Sequence, residues 1–362
     1  METYNYSAQM KDKYLNMTME LLDKLPPYCT SYINSIRERT QPRTMCGYAQ
    51  DLRVFFYFLL QNNPALKGKT EKEISLEVLN ALDQDDIVEY MMWLESYTID
   101  GVKYHNERQG KKRKLSSLRS FYKYLTTTKG LIKNNPAVAV DPPKILKKEV
   151  RTLDQDERVH LFEEIEKEYE DAVKKAILPD AGKRERLMPS LVLRDKAIIY
   201  LFLGSGMRIS ELVGIDLNDI KPELNRINIV RKGGKYDHVY ISDEVMDAVS
   251  EYAYGGPRDA IGVYDEDSEA LFLSSARTRI TVRSVERQIK KYADRALGEK
   301  SGITPHKFRS TFGTQYYEAT HDLYATADVL GHASVETTRK HYIKPGESSK
   351  IAMKNINVFG DQ

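Results

Sequence analysis

Residues 226–242 read RINIVRKGGKYDHVYIS, with apolar and polar side chains alternating on either side of a Lys-Gly-Gly-Lys turn at 232–235. This is the pattern of two antiparallel strands joined by a tight glycine turn. Further on, LFL at 271–273 reads as a third strand. Before the hairpin, RDKAIIYLFLG at 194–204 is a buried helix ended by Gly204 and Gly206. Thr152-Leu153-Asp154 opens a helix through about residue 169, and the charged stretch 165–190 reads as a helical extension or a loop. From 281 onward the pattern is helical again. This part of the chain is therefore expected to be α+β, helices with a small antiparallel sheet.

Upstream, residues 134–150 read NNPAVAVDPPKILKKEV, combining Asn-Asn-Pro, a double Pro and lysines without helical periodicity. The stretch 134–151 is expected to be an extended, basic interdomain linker, with one domain over 1–133 and the other over 152–362. The first domain is helical by its spacing. Tyr48, Leu52, Phe55, Phe56 and Leu59 recur three and four apart, as do Leu82, Ile87, Tyr90, Met91 and Leu94, and no stretch reads as a convincing strand. A third helix over roughly 111–127 carries Leu115, Leu118, Phe121, Tyr122 and Leu125 on one face. Lys111, Lys112, Arg113, Lys114, Arg119 and Lys123 fall mostly outside that face. Two roles fit such a helix: a solvated face opposite a core stripe, or a row of phosphate contacts.

At 362 residues the chain has room for two domains, and 41% hydrophobic with 30% charged residues is a globular composition. No internal repeat points to a solenoid. Two cysteines, Cys29 and Cys46, cannot build a disulfide framework, and no run approaches the length of a membrane span. The expected setting is the cytoplasm, with no membrane partner. Net charge is only +2, but its distribution is uneven: −5 over 1–100, +11 over 101–151 and −4 over 152–362. The positive charge is concentrated between the two halves.

Four short patterns in the second half carry polar chemistry. In GSGMRISEL (204–212), Arg208 begins a helix and Glu211 three residues on reaches the same face, which either orients a guanidinium for a phosphate or forms an ordinary helix-start ion pair. The hairpin turn holds Lys232 and Lys235. In ITPHKFRSTF (303–312), Thr304 suits an N-cap and Pro305 the first helical position, so His306 and Arg309 share one face near a helix end that attracts anions. In VLGHASVETTRKHY (329–342), Gly331 suits a helix C-cap, Ser334 the next N-cap, and Tyr342 follows about two turns later. There is no P-loop, no HExxH and no paired-carboxylate metal motif.

The ordered series of Arg208 with SEL, the KGGK turn, His306-x-x-Arg309, Leu-Gly-His332 and a following tyrosine resembles the tyrosine recombinase, or phage integrase, family. The likeness extends upstream, where Thr44 to Leu59 match the TxxxYxxDLxxFxxFL pattern of the family's core-binding domain and precede a basic helix. The resemblance implies a DNA recombinase of Xer-like, two-domain architecture, closing around duplex DNA as a tetramer on two sites without cofactor or metal. It implies that Tyr342 attacks the scissile phosphate to give a 3′-phosphotyrosyl link and that Arg208 and Arg309 clamp the phosphate oxygens. Lys232, aligned through R-K-G with the family's usual G-K-G turn, would protonate the leaving 5′ oxygen, with Lys235 as second choice. His306 would assist proton transfer and His332 would bond the phosphate. The family's usual nine-residue step from the second histidine lands on His341, which cannot form the link, so Tyr342 in tenth place is chosen. The C-terminal segment 343–362 is expected to be exchanged between protomers, and an arm-binding domain is not expected. A type IB topoisomerase-like enzyme and an inactive DNA-binding module remain as alternatives, and an RNA-binding scaffold is least favoured.

Overall fold

The structure is a computed structural model describing residues 6–145, 151–231, 233–264, 267–299, 301–332 and 334–342; the side chains of residues 7, 337 and 340–342 lie outside that description. It divides into two compact units, Met1–Lys148 and Glu149–Gln362.

The first unit is built from helices α1 (Tyr6–Leu22), α2 (Pro27–Ile36), α3 (Pro42–Asn62), α4 (Leu76–Ala81), α5 (Gln84–Trp93) and α6 (Arg108–Lys123). Proline stands at the start of α2 and α3, where its missing N–H costs nothing. Asp83 caps α5, accepting from the Asp85 and Asp86 amides at 2.8 and 3.2 Å. The apolar stripes of α3 and α6 meet in an aromatic core. Phe55, Phe56, Phe121 and Tyr122 are buried together, with edge-on ring pairs worth about 0.5–1.5 kcal/mol each beyond their burial. The hydroxyl of buried Tyr32 donates to Ser120 Oγ at 2.9 Å.

Two features of this unit correct the sequence expectations. Strands β1 (Tyr97–Ile99) and β2 (Val102–Tyr104) form an antiparallel hairpin where no strand was expected. Asp100 and Gly101 turn it with φ of 51° and 77°, the positive values that a two-residue hairpin loop needs and that Asp-Gly favours. Secondly, described residues 134–145 are not a free linker. Ala137 and Val140 are buried in the unit's core, and Arg119 donates to the carbonyls of Ala137 at 2.8 Å, Val138 at 3.3 Å and Val140. One guanidinium thus satisfies three carbonyls in a segment whose prolines deny it regular pairing.

The second unit surrounds one long helix, α8 (Lys183–Ser205), whose Val192, Ala197, Ile198, Ile199, Leu201 and Phe202 are buried. Packed on α8 are α7 (Gln155–Ala176), and, beyond the short α9 (Ile209–Leu212), α10 (Asp243–Tyr254), α11 (Pro257–Ile261), α12 (Val282–Leu297) and α13 (Pro305–Thr320). Helices α14 (Leu323–Val329) and α15 (Val335–Tyr342) follow. The expected hairpin is present as β4 (Arg226–Val230) and β5 (Tyr236–Tyr240), with Val230 opposite Tyr236. The third strand is β3 (Ile220–Lys221), not Leu271–Leu273 as expected. That apolar run makes a single bridge, Leu273 to Arg279, next to another from Ala270 to Asp216, and its three side chains are buried. Its hydrophobicity reflects the core, not a sheet.

Candidate active site

The end of α8 and the end of α14 create the site. Gly206 terminates α8 in the left-handed region, φ 60°, donating its N–H to Phe202 O at 3.0 Å. A β-carbon there would lie 2.3 Å from the Phe312 ring, so only glycine fits. The chain then leads into Arg208, the residue that precedes α9. Glu211 reaches back in the manner of a capping box, its Oε2 accepting from the Arg208 amide at 2.8 Å while Oε1 takes Arg208 Nη1 at 2.7 Å. The Glu211 side chain is 1% exposed, a burial that a carboxylate tolerates only when it is paired and hydrogen-bonded.

At the other end, α14 closes in a Schellman motif: the Gly331 amide bonds Asp328 O at 2.7 Å and the His332 amide bonds Ala327 O at 2.9 Å. The motif places Gly331 at φ 59°. It leaves three successive carbonyls at the negative end of the helix, and each receives a guanidinium. Arg231 Nη2 donates to Val329 O at 3.0 Å, Arg309 Nη2 to Leu330 O, and Arg208 Nη2 to Gly331 O at 2.7 Å. Arg309 Nη1 also donates to Gly206 O at 2.7 Å, tying the two helix ends together.

His332, next in the chain, is oriented by a 2.7 Å contact between its Nδ1 and Oγ1 of fully buried Thr338 on α15. Arg208, Arg309 and His332 are thereby gathered within one network. His306 lies exposed in the first turn of α13, one turn before Arg309, and Pro305 stands at the first helical position as expected. Thr304 occupies the N-cap position without a capping side-chain bond. Lys235 is exposed beside the turn, its carbonyl accepting from the Arg231 amide at 2.8 Å. Lys232, the side chains of His341 and Tyr342, and the segment 343–362 lie outside the described residues; the backbone of Tyr342 ends α15.

Arg231 is the member of this network that sequence reasoning missed. Ile227, Ile229 and Arg231 alternate inward along the same edge of the hairpin and all three are buried. A charged residue continuing an apolar alternation was the available signal.

The basic helix α6 departs from its expected role in several places. Lys114 is 6% exposed and donates to Asp51 Oδ1 at 2.9 Å, so it is a core ion pair and not an outward contact. Arg113 grips both oxygens of the same carboxylate at 2.6 and 2.7 Å, Lys111 pairs with Glu95 at 2.7 Å, and Arg119 is committed to the 137–140 carbonyls. Lys112 and Lys123 stand exposed.

A profile described as the phage integrase family matches residues 151–348, more than half of the chain. The chain belongs to the phage integrase family. It is a tyrosine recombinase, an enzyme class that breaks and rejoins DNA. Curated relatives include tyrosine recombinase XerC of Caldanaerobacter subterraneus subsp. tengcongensis, 31% identical over 89% of this chain and 84% of that protein. Tyrosine recombinase XerS of Streptococcus mutans is 30% identical over 93% and 97%. Among solved structures, XerH recombinase bound to its difH substrate aligns over 89% of this chain and 81% of that one, with TM-score 0.59 and 20% identity. The Tn1549 transposon integrase in complex with a circular intermediate DNA aligns over 91% and 99%, with TM-score 0.59 and 19% identity. The two-domain, mainly helical recombinase fold is thus shared. Among the described residues, no helix is long and apolar enough to cross a membrane.

Proposed function

We propose that this recombinase cuts and rejoins duplex DNA at specific sites through a 3′-phosphotyrosyl intermediate on Tyr342, to integrate or excise a mobile element or to resolve DNA dimers. The observation that carries the reading is the convergence of Arg208, Arg309 and His332 at the end of α14, one helical segment before Tyr342. Two guanidiniums held by fixed carbonyls are oriented before any phosphate arrives, which is what stabilising the charge of a pentavalent phosphorus requires. The Tyr342 oxygen forms a bond to phosphorus as the bond from phosphorus to the 5′ oxygen breaks. His306 takes up the phenolic proton and Lys232 delivers one to the departing 5′ oxygen. The bond energy is kept in the tyrosyl ester, so a 5′-hydroxyl can reverse the step and reseal a strand.

The two domains act together on duplex DNA, with Lys112 and Lys123 of α6 contributing phosphate contacts in the first. Strand exchange between two sites requires four protomers, with the segment 343–362 passed between neighbours, and places the enzyme with the chromosome in the cytoplasm. The test uses nicked suicide duplexes carrying sequences from the flanks of the gene, incubated with wild type, Tyr342→Phe and Arg208→Ala. A denaturation-resistant protein–DNA adduct in wild type that is lost in Tyr342→Phe and reduced in Arg208→Ala is the expected result. Binding without an adduct in wild type contradicts the reading.

A further inference from the structure

The hairpin turn after Arg231 reads Lys232-Gly233-Gly234-Lys235. Gly233 and Gly234 are exposed, adopt φ of 95° and 83°, and have open space where a side chain would be. A general acid acts from one defined position, and misplacement by an ångström is costly in rate. The fixed point of the tip is Arg231. Its amide donates to Lys235 O at 2.8 Å and its carbonyl accepts from Gly234 N at 3.1 Å, so both ends of the turn close on this one residue.

The Arg231 side chain, 8% exposed, is anchored in three directions. Nε donates to Asp237 Oδ2 at 2.9 Å on the opposite strand, Nη1 to Glu211 Oε2 at 3.3 Å, and Nη2 to Val329 O at 3.0 Å. Glu211 is also the carboxylate that orients Arg208, and Val329 begins the run of carbonyls that hold Arg309 and Arg208. The hairpin is thus bolted to the frame that carries the phosphate-binding arginines.

We propose that Arg231 is a positioning residue for leaving-group protonation, fixing the hairpin to Glu211 and the end of α14 so that Lys232 is delivered to the phosphate held by Arg208 and Arg309. The inference rests on the assignment of Lys232 as general acid. It differs from a merely structural role in one respect: the step it serves is proton delivery to the 5′ oxygen. Replacing that oxygen by sulphur removes the need for the proton. The Tyr342 oxygen still bonds to phosphorus and the phosphorus–sulphur bond still breaks, but the leaving group departs with its electron pair as a thiolate, which needs no proton to leave because thiols ionise near 8.5 and a thiolate is a far weaker base than an alkoxide.

The experiment follows single-turnover adduct formation by the full chain on paired suicide duplexes with oxygen or sulphur at the bridging 5′ position. Wild type, Arg231→Met, Lys232→Ala and Arg208→Ala are compared. On the oxygen duplex Arg231→Met is expected to be slower than wild type by about tenfold or more, a part of the ~10²–10⁴-fold that proton transfer contributes. On the sulphur duplex the difference is expected to vanish to within about threefold, Lys232→Ala showing the same pattern more deeply and Arg208→Ala slowed on both. Equal slowing of Arg231→Met on both duplexes, or none on oxygen, overturns the inference. If Arg231→Met does not fold, Asp237→Asn removes one anchor alone and must show a smaller loss that sulphur also erases; a loss equal on both duplexes overturns the inference again. Failure of the underlying reading is separately visible: wild type then forms no adduct on either duplex, or Lys232→Ala is slowed equally on both.

Discussion

In each unit of the molecule a buried carboxylate lies between two cations, and the two arrangements do different work. In the first unit, Asp51 is 2% exposed and its two oxygens are taken by Arg113 twice and by buried Lys114, within a core of aromatic rings. In the second unit, Glu211 is 1% exposed and pairs with Arg208 and Arg231, but each of those guanidiniums extends beyond it to a carbonyl at the end of α14. Exposure does not separate the two clusters, since Arg113 keeps 52% of its side chain exposed and Arg208 28%; the difference is that both donated bonds of Arg113 end on Asp51. Asp51 therefore locks α3 to α6. Glu211 instead ties Arg208 and Arg231 to the end of α14. A buried acid with basic partners is ambiguous until the remaining donors of those partners are followed.

The largest expected effect separates the two carboxylates directly. Asp51→Asn and Glu211→Gln each break a buried ion-pair cluster and should each cost about 3–5 kcal/mol, read by denaturant unfolding. Cleavage per folded molecule should fall by ~10²-fold or more in Glu211→Gln alone, since only there is an arginine proposed to bind the phosphate released. Equal loss of cleavage in Asp51→Asn breaks the distinction. A second pair of variants compares the glycines. Gly101→Ala and Gly331→Ala both force a side chain into positive φ at about 1–2 kcal/mol, but a β-carbon at Gly331 would also lie 3.0 Å from the Arg231 guanidinium while nothing lies within 4 Å at Gly101. Thermal unfolding should register both, and adduct formation only the Gly331 change.

Duplex binding sharpens the contrast within α6. Lys112→Ala should lower the slope of log affinity against log salt by about 0.9, the loss of one phosphate contact, whereas Lys114→Ala should leave the slope unchanged and destabilise the fold. The smallest effect is a titration. Partial burial works against the charge on Asp237, but the Arg231 guanidinium and the His238 amide outweigh it and hold its carboxyl below the ordinary range. A carboxyl depressed in the folded state contributes stability that is complete above its unfolded pKa and is lost as pH falls through the folded value. The Arg231 anchor is thus intact near neutrality and weakens only in acid. Carbon-detected NMR should place the Asp237 midpoint low in wild type and back toward the ordinary aspartate value in Arg231→Met.

The parts of the fold legible in the sequence were those set by local pattern. The stripe of α3, the glycine that ends α8, the proline that opens α13 and the β4–β5 alternation all depend on neighbours in the chain. The Asp100-Gly101 turn was equally local, and was passed over because the strands it joins are three residues each. Other features depended on tertiary partners. Leu271–Leu273 reads as a strand because burial and pleating select the same residues, and Lys114 reads as a surface cation because its partner Asp51 lies on another helix. In the network at the end of α14, Arg208, Glu211, Arg309 and His332 lie in short local patterns that can be read from the sequence. Arg231 and Thr338 act through contacts with residues distant in sequence or on the next helix, and carry no motif of their own.

The proposed function has this network serve one nucleophile, Tyr342, despite its tenth place after His332. The direct measurement is to isolate the covalent adduct from a suicide duplex, digest its DNA and protein, and locate the nucleotide-bearing residue by mass spectrometry. The remnant is expected on Tyr342. A remnant on Tyr316, Tyr317 or Tyr324 contradicts it.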